Sequence, residues 1–350
     1  MRLSASAALC AILAAACAGG ESATAPVSGV DLSAAKPRTY QATLLPLPPG
    51  ATSSRALAIN AKGQVVGLVD EKAVRWDPGA LPVELGIFPG HESSRPIGIS
   101  DRGDVLGSGS PPQDEPHIPL HVIRWPAAGG IEDLGEMCCD ALAAADINSQ
   151  GEIAWVGWVT GAIQANAALH LLSHGNETRV EVPDEGFRLG LRVLLNDHGT
   201  VAADELVWSS HAGWSALTSA YSDPGAVQIR GINDHGDIIA VEQVFISDVE
   251  ERGTLYPNKG TPVPFGLDFA PASINDFGVI AGQTDNGARL RYPDGTMVSL
   301  PTPSGLGAGP VSLALNDISN SGVVVGTASG TIGGVEVQRA TIWRPLPGHH

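Results

Sequence analysis

An Asn-x-x-Gly tetrapeptide set between two short apolar runs returns along the whole chain, and a repeated unit constrains a fold more than any other sequence feature. The stretch from Ala56 to Trp76 shows the unit whole: an apolar run, the turn Asn60-Ala61-Lys62-Gly63, a second apolar run, and a third that closes on Trp. Asn at the first turn position caps its own backbone, and Gly at the fourth takes positive φ at little cost, so the tetrapeptide predicts a type I hairpin turn. Ala56 to Ile59 and Gln64 to Gly67 are then the flanking strands. Ala73 to Trp76 is a third, with Lys72 and Arg75 facing water.

Aligned on this turn, the chain contains seven units, with landmarks Asn60/Gly63, Ser100/Gly103, Asn148/Gly151, Asn196/Gly199, Asn233/Gly236, Asn275/Gly278 and Ser319/Gly322. Successive landmarks lie roughly 37 to 48 residues apart, the period of propeller blades. The third run ends on an aromatic in most units: Trp76, Trp125, Trp208, Tyr292 and Trp343. Units three and five are read as departing from this, with Ala168 to Leu171 and Val244 to Ile246 in that place. A fourth run precedes the next turn, as in Val83 to Gly86, Ile131 to Gly135 and Met297 to Leu300. Four short antiparallel strands per repeat make a blade.

The seventh unit runs out after Trp343, because the remaining residues contain two prolines and make a poor strand. A spare strand of the fourth type, Tyr40 to Leu47, stands before the first turn. The expected fold is therefore an all-β, seven-bladed β-propeller, closed by the N-terminal strand in the last blade, with Thr43 to Leu47 paired to Ala340 to Trp343. Closure leaves no free sheet edge. An open β-solenoid or an eight-bladed ring are the competing architectures.

Before the propeller, expected over 39–350, come two segments of different character. Arg2 is followed by an almost uncharged apolar run, Leu3 to Ala16, too short to span a bilayer, which reads as a secretion signal over 1–17. Ala14-Ala15-Ala16-Cys17 resembles the lipobox of bacterial lipoproteins, so Cys17 is the candidate lipidation site, against an ordinary signal cut near Ala16 or Ala18. Residues 18–38 are rich in Ser, Ala, Pro and Gly and read as a flexible tether. Cys10 and Cys17 belong to the signal region, leaving only Cys138 and Cys139 beyond it, so no disulfide framework supports the fold. With a formal net charge of −17 and no Lys/Arg cluster, the chain would be repelled by nucleic acid and by an anionic membrane surface, leaving a lipid anchor as its one membrane contact.

The units resemble the HAF repeat, a bacterial extracellular repeat that reads approximately Ala-x-x-Ile-Asn-x-x-Gly-x-x-x-Gly, then a basic or His residue, Ala, two apolar positions and Trp. Lys72-Ala73-Val74-Arg75-Trp76, His121-Val122-Ile123-Arg124-Trp125 and Arg339-Ala340-Thr341-Ile342-Trp343 follow its second half, although the His-Ala-Phe triplet itself does not occur. The resemblance implies an exported, propeller-like repeat protein and brings no catalytic residue with it.

Candidate chemistry is sparse. Asp146 to Gly151 copies the opening of a calcium loop, but Gly157 stands where the bidentate acid belongs, so the stretch is a structural turn. His198 and His235 are turn-tip residues on one rim. The recurrent Trp and Tyr sit at equivalent positions and are expected in the core between sheets. Cys138 and Cys139 are adjacent, a poor spacing for one metal ion. No cofactor motif, metal signature, serine elbow or Walker-type loop occurs.

Function in a propeller sits on loops. Ser108 to Leu120, Trp158 to Ala167 and Thr327 to Gln338 are read as extended second-to-third loops. With the loops joining one unit to the next, they give an uneven face. Asp114, Glu115 and His117 lie in the first, and His91 and Glu92 in the loop entering the same blade, so these five are candidates for a ligand-facing cluster, or else a solvated charged loop. The expected role is a monomeric, exported, lipid-anchored binding or scaffold module for a surface protein or glycan. The alternative is a propeller enzyme, a lyase or hydrolase of extracellular glycans, whose acids are undetectable from spacing.

Overall fold

The computed structural model describes residues 38–112, 120–136, 144–158, 167–183, 192–221, 224–245, 249–266, 268–307 and 309–347. Cys17, Asp114, Glu115, His117, Cys138 and Cys139 lie outside the described residues. The strands form seven four-stranded antiparallel sheets, each ordered outward from an inner strand. Blade 1 is β2 (Ser54–Ile59), β3 (Val65–Val69), β4 (Lys72–Trp76) and β5 (Val83–Glu84). Blade 2 is β6 (Ser93–Ile99), β7 (Val105–Ser110), β8 (His121–Trp125) and β9 (Glu132–Glu136). Blade 3 is β10 (Ala145–Ile147), β11 (Ile153–Trp158), β12 (Ala167–Ser173) and β13 (Asn176–Glu181), and blade 4 is β14 (Val193–Leu195), β15 (Val201–Ala203), β16 (Leu206–Ser209) and β17 (Gly213–Ala216). Blade 5 is β18 (Pro224–Ile232), β19 (Ile238–Phe245), β20 (Val249–Tyr256) and β21 (Val263–Gly266), and blade 6 is β22 (Ala270–Ile274), β23 (Ile280–Thr284), β24 (Gly287–Arg291) and β25 (Met297–Ser299).

Blade 7 joins the chain ends: β26 (Ser312–Ile318), β27 (Val324–Ile332) and β28 (Val335–Pro345) are completed at the outer edge by β1 (Tyr40–Leu44). The expected closure is present, though it begins three residues earlier, with Tyr40 opposite Pro345 and Leu44 opposite Thr341, and the Leu45 N–H bonded to the Ala340 carbonyl at 2.8 Å. Pro345 tolerates this place because it lies at the strand's end.

Burial follows the layering. Second strands lie between neighbouring blades and are apolar on both faces: β3 is buried at every residue, whereas both residues of outer β5 are exposed. The Gly that recurs four places after the turn is required by close approach. A Cβ on Gly67 would stand 1.9 Å from the Arg55 carbonyl oxygen, and one on Gly326 would stand 2.1 Å from that of Ala314. Trp76, Trp125, Tyr292 and Trp343 are core residues, as expected. The Trp76 and Trp343 indoles also donate across the interface, to the carbonyls of Pro46 and Pro301 at 2.9 and 2.8 Å.

Two expectations fail. The third strand of blade 5 is β20, which closes on buried Tyr256, while Val244 and Phe245 end its second strand. Polar Glu-Glu-Arg hid the run, although it pairs with β19 opposite buried Glu242 and Val244. Thr327 to Gln338 is no loop either. It is the extension of β27 and β28, paired to Ile332 opposite Val335 and turned by Gly333 and Gly334 at φ of 60° and 84°. Two consecutive positive φ values are what a tight type I′ hairpin demands.

The turns lock neighbouring blades together. Asn60 Oδ1 accepts the N–H groups of Lys62 and Gln64, which closes the turn locally, while its Nδ2 donates to the Ser100 carbonyl of the next blade at 2.9 Å. Asn148, Asn196, Asn233 and Asn275 donate in the same way to Asn196, Asn233, Asn275 and Ser319. A second ring runs beside the first: carboxylates of Asp101, Asp197, Asp234 and Asp276 accept the N–H of Ala61, Ser149, Asp197 and Asp234 of the preceding blade, at 2.8 to 2.9 Å. The Asx turn is therefore also the inter-blade fastener.

Candidate functional site

Each inner strand runs from the loop face toward the turn rim, so the number of residues before the turn measures depth in the axial channel. A β-bulge falls three places before the turn in blades 1, 2, 5, 6 and 7, as register shifts show between Ala56 and Ala58, Pro96 and Gly98, Ile229 and Gly231, Pro271 and Ser273, and Leu315 and Asp317. A bulge re-aims a side chain. It puts Leu57, Ile97, Arg230 and Asn316 on the channel wall.

At the deepest of these positions, two places before the turn, blades 3 and 7 carry Asp146 and Asp317. Asp146 Oδ2 accepts the Leu195 N–H of blade 4 and Oδ1 its own Ile147 N–H, both at 2.9 Å. Asp317 Oδ2 accepts the Ile59 N–H of blade 1 at 2.9 Å, and its Oδ1 accepts from Ser273 Oγ and Ile318 N at 3.0 and 2.8 Å. Burial pushes Asp146 up to about 7 against the pull of these amides, and it also raises Asp317. Asn316 Nδ2 adds a bond to the Ala56 carbonyl at 2.6 Å. Blades 7 and 1 are thus fastened at the axis as well as at the outer edge.

Nearer the loop face the wall changes sign. Arg55 and Arg95 lie five places before the turn, Arg192 four and Arg230 three. Arg55 is ion-paired with Glu71, and Arg230 donates to Gln228 at 2.8 Å. A cavity of about 270 Å³ toward the turn rim and another of about 320 Å³ toward the loop face share Leu57, Ile97, Asp146, Arg192, Leu194 and Asn316 in their walls. Arg95 lines the second.

The sequence candidates fall elsewhere. His91 packs against Phe88 and His121, with ring centroids 4.8 and 5.2 Å apart, and His121 Nδ1 meets Asp133 Oδ1 at 2.9 Å. Glu92 is exposed. So His91 does join a cluster in blade 2, but its described ring neighbours are Phe88 and His121, of which the sequence marked His121 only as a repeat position and Phe88 not at all. A further buried histidine, His170, stacks on Trp155 at 4.8 Å and bonds Glu177 at 2.6 Å. Among the described residues no group of three or more His, Cys, Asp or Glu is placed to hold a metal ion. The axial arginines and aspartates were missed, although one signal marks them: a charged residue two to five places before the turn, where most other repeats carry Gly, Ala, Pro or an aliphatic residue.

No family model matches the chain, and no curated protein matches it in sequence. Solved structures do match in shape. A catalytically inactive variant of virginiamycin B lyase from Staphylococcus aureus, with quinupristin, aligns at TM-score 0.55 and 11% identity, covering 88% of this chain and 100% of the other. The extracellular domain of BT4673 from B. thetaiotaomicron aligns at TM-score 0.51 and 11% identity, over 86% of this chain and 39% of that one. The β-propeller domain of the Trilobed protease from Pyrococcus furiosus, which has an open velcro topology, aligns at TM-score 0.50 and 11% identity, over 82% and 97%. The chain is similar to these proteins in fold: it is a seven-bladed β-propeller, and unlike the last of them it is closed by its own N-terminal strand.

Proposed function

We propose that the chain is an exported binding module that presents its loop face to a protein or glycan of the cell envelope. The observation that carries this reading is the state of the axial acids. A glycan lyase or hydrolase needs carboxyl groups free to move a proton. The six described acids that line the channel, Asp101, Asp146, Asp197, Asp234, Asp276 and Asp317, each accept a backbone N–H of a neighbouring blade instead. The channel thus reads as a shaped recess in a rigid ring. The BT4673 domain, a similar propeller, is extracellular, which agrees with export. The repeat pattern is read as a diverged HAF repeat, the molecule as a monomer, and Cys17 as its point of lipid attachment.

Binding of the full chain to isolated envelope fractions tests the module. Charge reversal on the loop face (Glu71→Lys with Glu92→Lys) is expected to change it, and reversal on the turn rim (Lys62→Glu with His211→Glu) to leave it unchanged. The opposite pattern overturns the reading. Export is tested separately: labelled fatty acid should enter the wild type and be absent from Cys17→Ser. Retention on a DNA column at moderate salt would contradict the exclusion of nucleic acid.

A further inference from the structure

We propose that the loop-face end of the axial channel, between Arg95 and Arg192, is a binding site for an organic carboxylate on an aliphatic body, as at the end of a peptide chain. The proposal rests on the reading of the loop face as a binding surface and names what enters it.

The first argument is one of charge placement. In a chain of net charge −17 with 20 basic residues, four blades carry an arginine in or just before the inner strand, three to five places ahead of the turn. Two of the four have protein partners, Glu71 for Arg55 and Gln228 for Arg230. Arg95 and Arg192 have neither an ion pair nor a side-chain hydrogen bond among the described residues, yet both line one cavity of about 320 Å³. Burial lowers the pKa of each, and a second arginine adds to the effect, Arg55 for Arg95 and Arg230 for Arg192. Cations set beside cations in a recess are favourable only with an anion near by.

Asp146 lines the same cavity and, with Asp317, offsets part of the cost of Arg192, as Glu71 does for Arg95, but the oxygens of both aspartates already accept amide and hydroxyl donors, and Glu71 is ion-paired with Arg55, so none of the three forms a hydrogen bond to Arg95 or Arg192 among the described residues. A guanidinium fork matches a carboxylate in two parallel hydrogen bonds, which makes arginine the natural partner for that group.

The rest of the wall selects the body of the ligand. Leu57, Pro96, Ile97, Val193 and Leu194 are aliphatic, and among the described residues no aromatic ring lines the cavity on which a sugar could stack. Such a wall fits a Leu or Val side chain next to a terminal carboxylate, one of the recurrent modes of peptide capture. The volume accommodates one or two residues, since ligand pockets of roughly 300 Å³ are at the small end of the range.

Calorimetric titration of the full chain with acetyl-Leu-Leu carboxylate, its C-terminal amide and digalacturonate decides the matter. The carboxylate peptide should bind at least roughly tenfold tighter than the amide, and Arg95→Met and Arg192→Met should each weaken it by at least roughly tenfold. If Arg192→Met melts early, Arg95→Met and the carboxylate-to-amide ratio on the wild type carry the test. Equal binding of peptide and amide, preference for digalacturonate, unchanged affinity in the variants, or no binding at millimolar peptide would each overturn the proposal. Envelope binding that survives in Arg95→Met with Arg192→Met removes this site and leaves the module standing. Envelope binding insensitive to every loop-face change removes the module itself.

Discussion

At the turn rim, blade after blade presents an Asn or Ser, a short polar step and a Gly at positive φ, and the side chains bond forward and backward around the ring. On the loop face successive hairpins differ, from the two-residue turn at Asp204 and Glu205 to the long β27–β28 extension. Regularity at one end gives each blade the same inter-blade geometry, which frees the other end from any structural duty. The contrast appears in the polar atoms: rim Asn side chains are buried and satisfied, whereas loop-face Arg95 and Arg192 are half-buried and have no side-chain partner among the described residues.

Removing the outer strand should produce the largest effect. Deleting residues 39–47 takes β1 from blade 7 and exposes the edge of β28, so cooperative unfolding or aggregation is expected by calorimetry and light scattering. Deleting 21–37 should leave the melting temperature unchanged. Equal melting of the two truncations would contradict the closure.

A rim substitution comes next. Asn196→Ala removes acceptors for the His198 and Thr200 N–H groups and the donor to the Asn233 carbonyl, and it should cost about 3 kcal/mol in denaturant unfolding. Arg95→Met on the opposite face should stay within about 0.5 kcal/mol of wild type. If the two costs were alike, the division of labour between the ends would fail.

The pH dependence is smaller. Burial raises Asp146 to about 7, and Asp234, with Asp197 and Asp276 beside it, to about 6. The native state therefore keeps protons that the unfolded chain releases from about pH 4 upward. This contribution is complete below pH 4 and is lost as pH rises through 6 to 7, so Asp146 alone should make unfolding at pH 8 easier than at pH 5 by about 2.5 kcal/mol. Asp146→Asn should flatten the curve, and an unchanged curve would contradict the raised value.

The smallest effect is a gain. Ser319 is too short to reach Asn60 as the rim asparagines reach their neighbours, and Ser319→Asn should add about 0.5–1 kcal/mol by supplying that bond.

The turns, the blade count and the spare first strand were legible because they depend on local chemistry and on counting. The inter-blade role of Asn60 was not, since its partner Ser100 lies 40 residues away and the same atoms already satisfy a turn. Strand β20 escaped because Glu250 to Arg252 break the apolar run by which the other third strands are recognised. The axial arginines escaped for a third reason: Arg95 and Arg192 come from blades 2 and 4, and only their register and the bulges bring them to one cavity. His91 and Glu92 were readable as loop residues, but not the packing of His91 on Phe88 and His121.

The direction of β1 has a consequence for how the molecule is displayed. As a fourth-type strand it starts at the turn rim, where Tyr40 Oη stands 3.3 Å from a Cβ placed on Gly322, and it runs toward the loop face. The Leu346 N–H bonds the Thr39 carbonyl at 2.8 Å, so both ends of the ring leave by the same rim. A lipid on Cys17 would thus pull from the rim, through a tether reaching roughly 25 Å at ~5–6 Å × √n. The arginine-lined mouth opens at the opposite end, unobstructed by either described end of the chain.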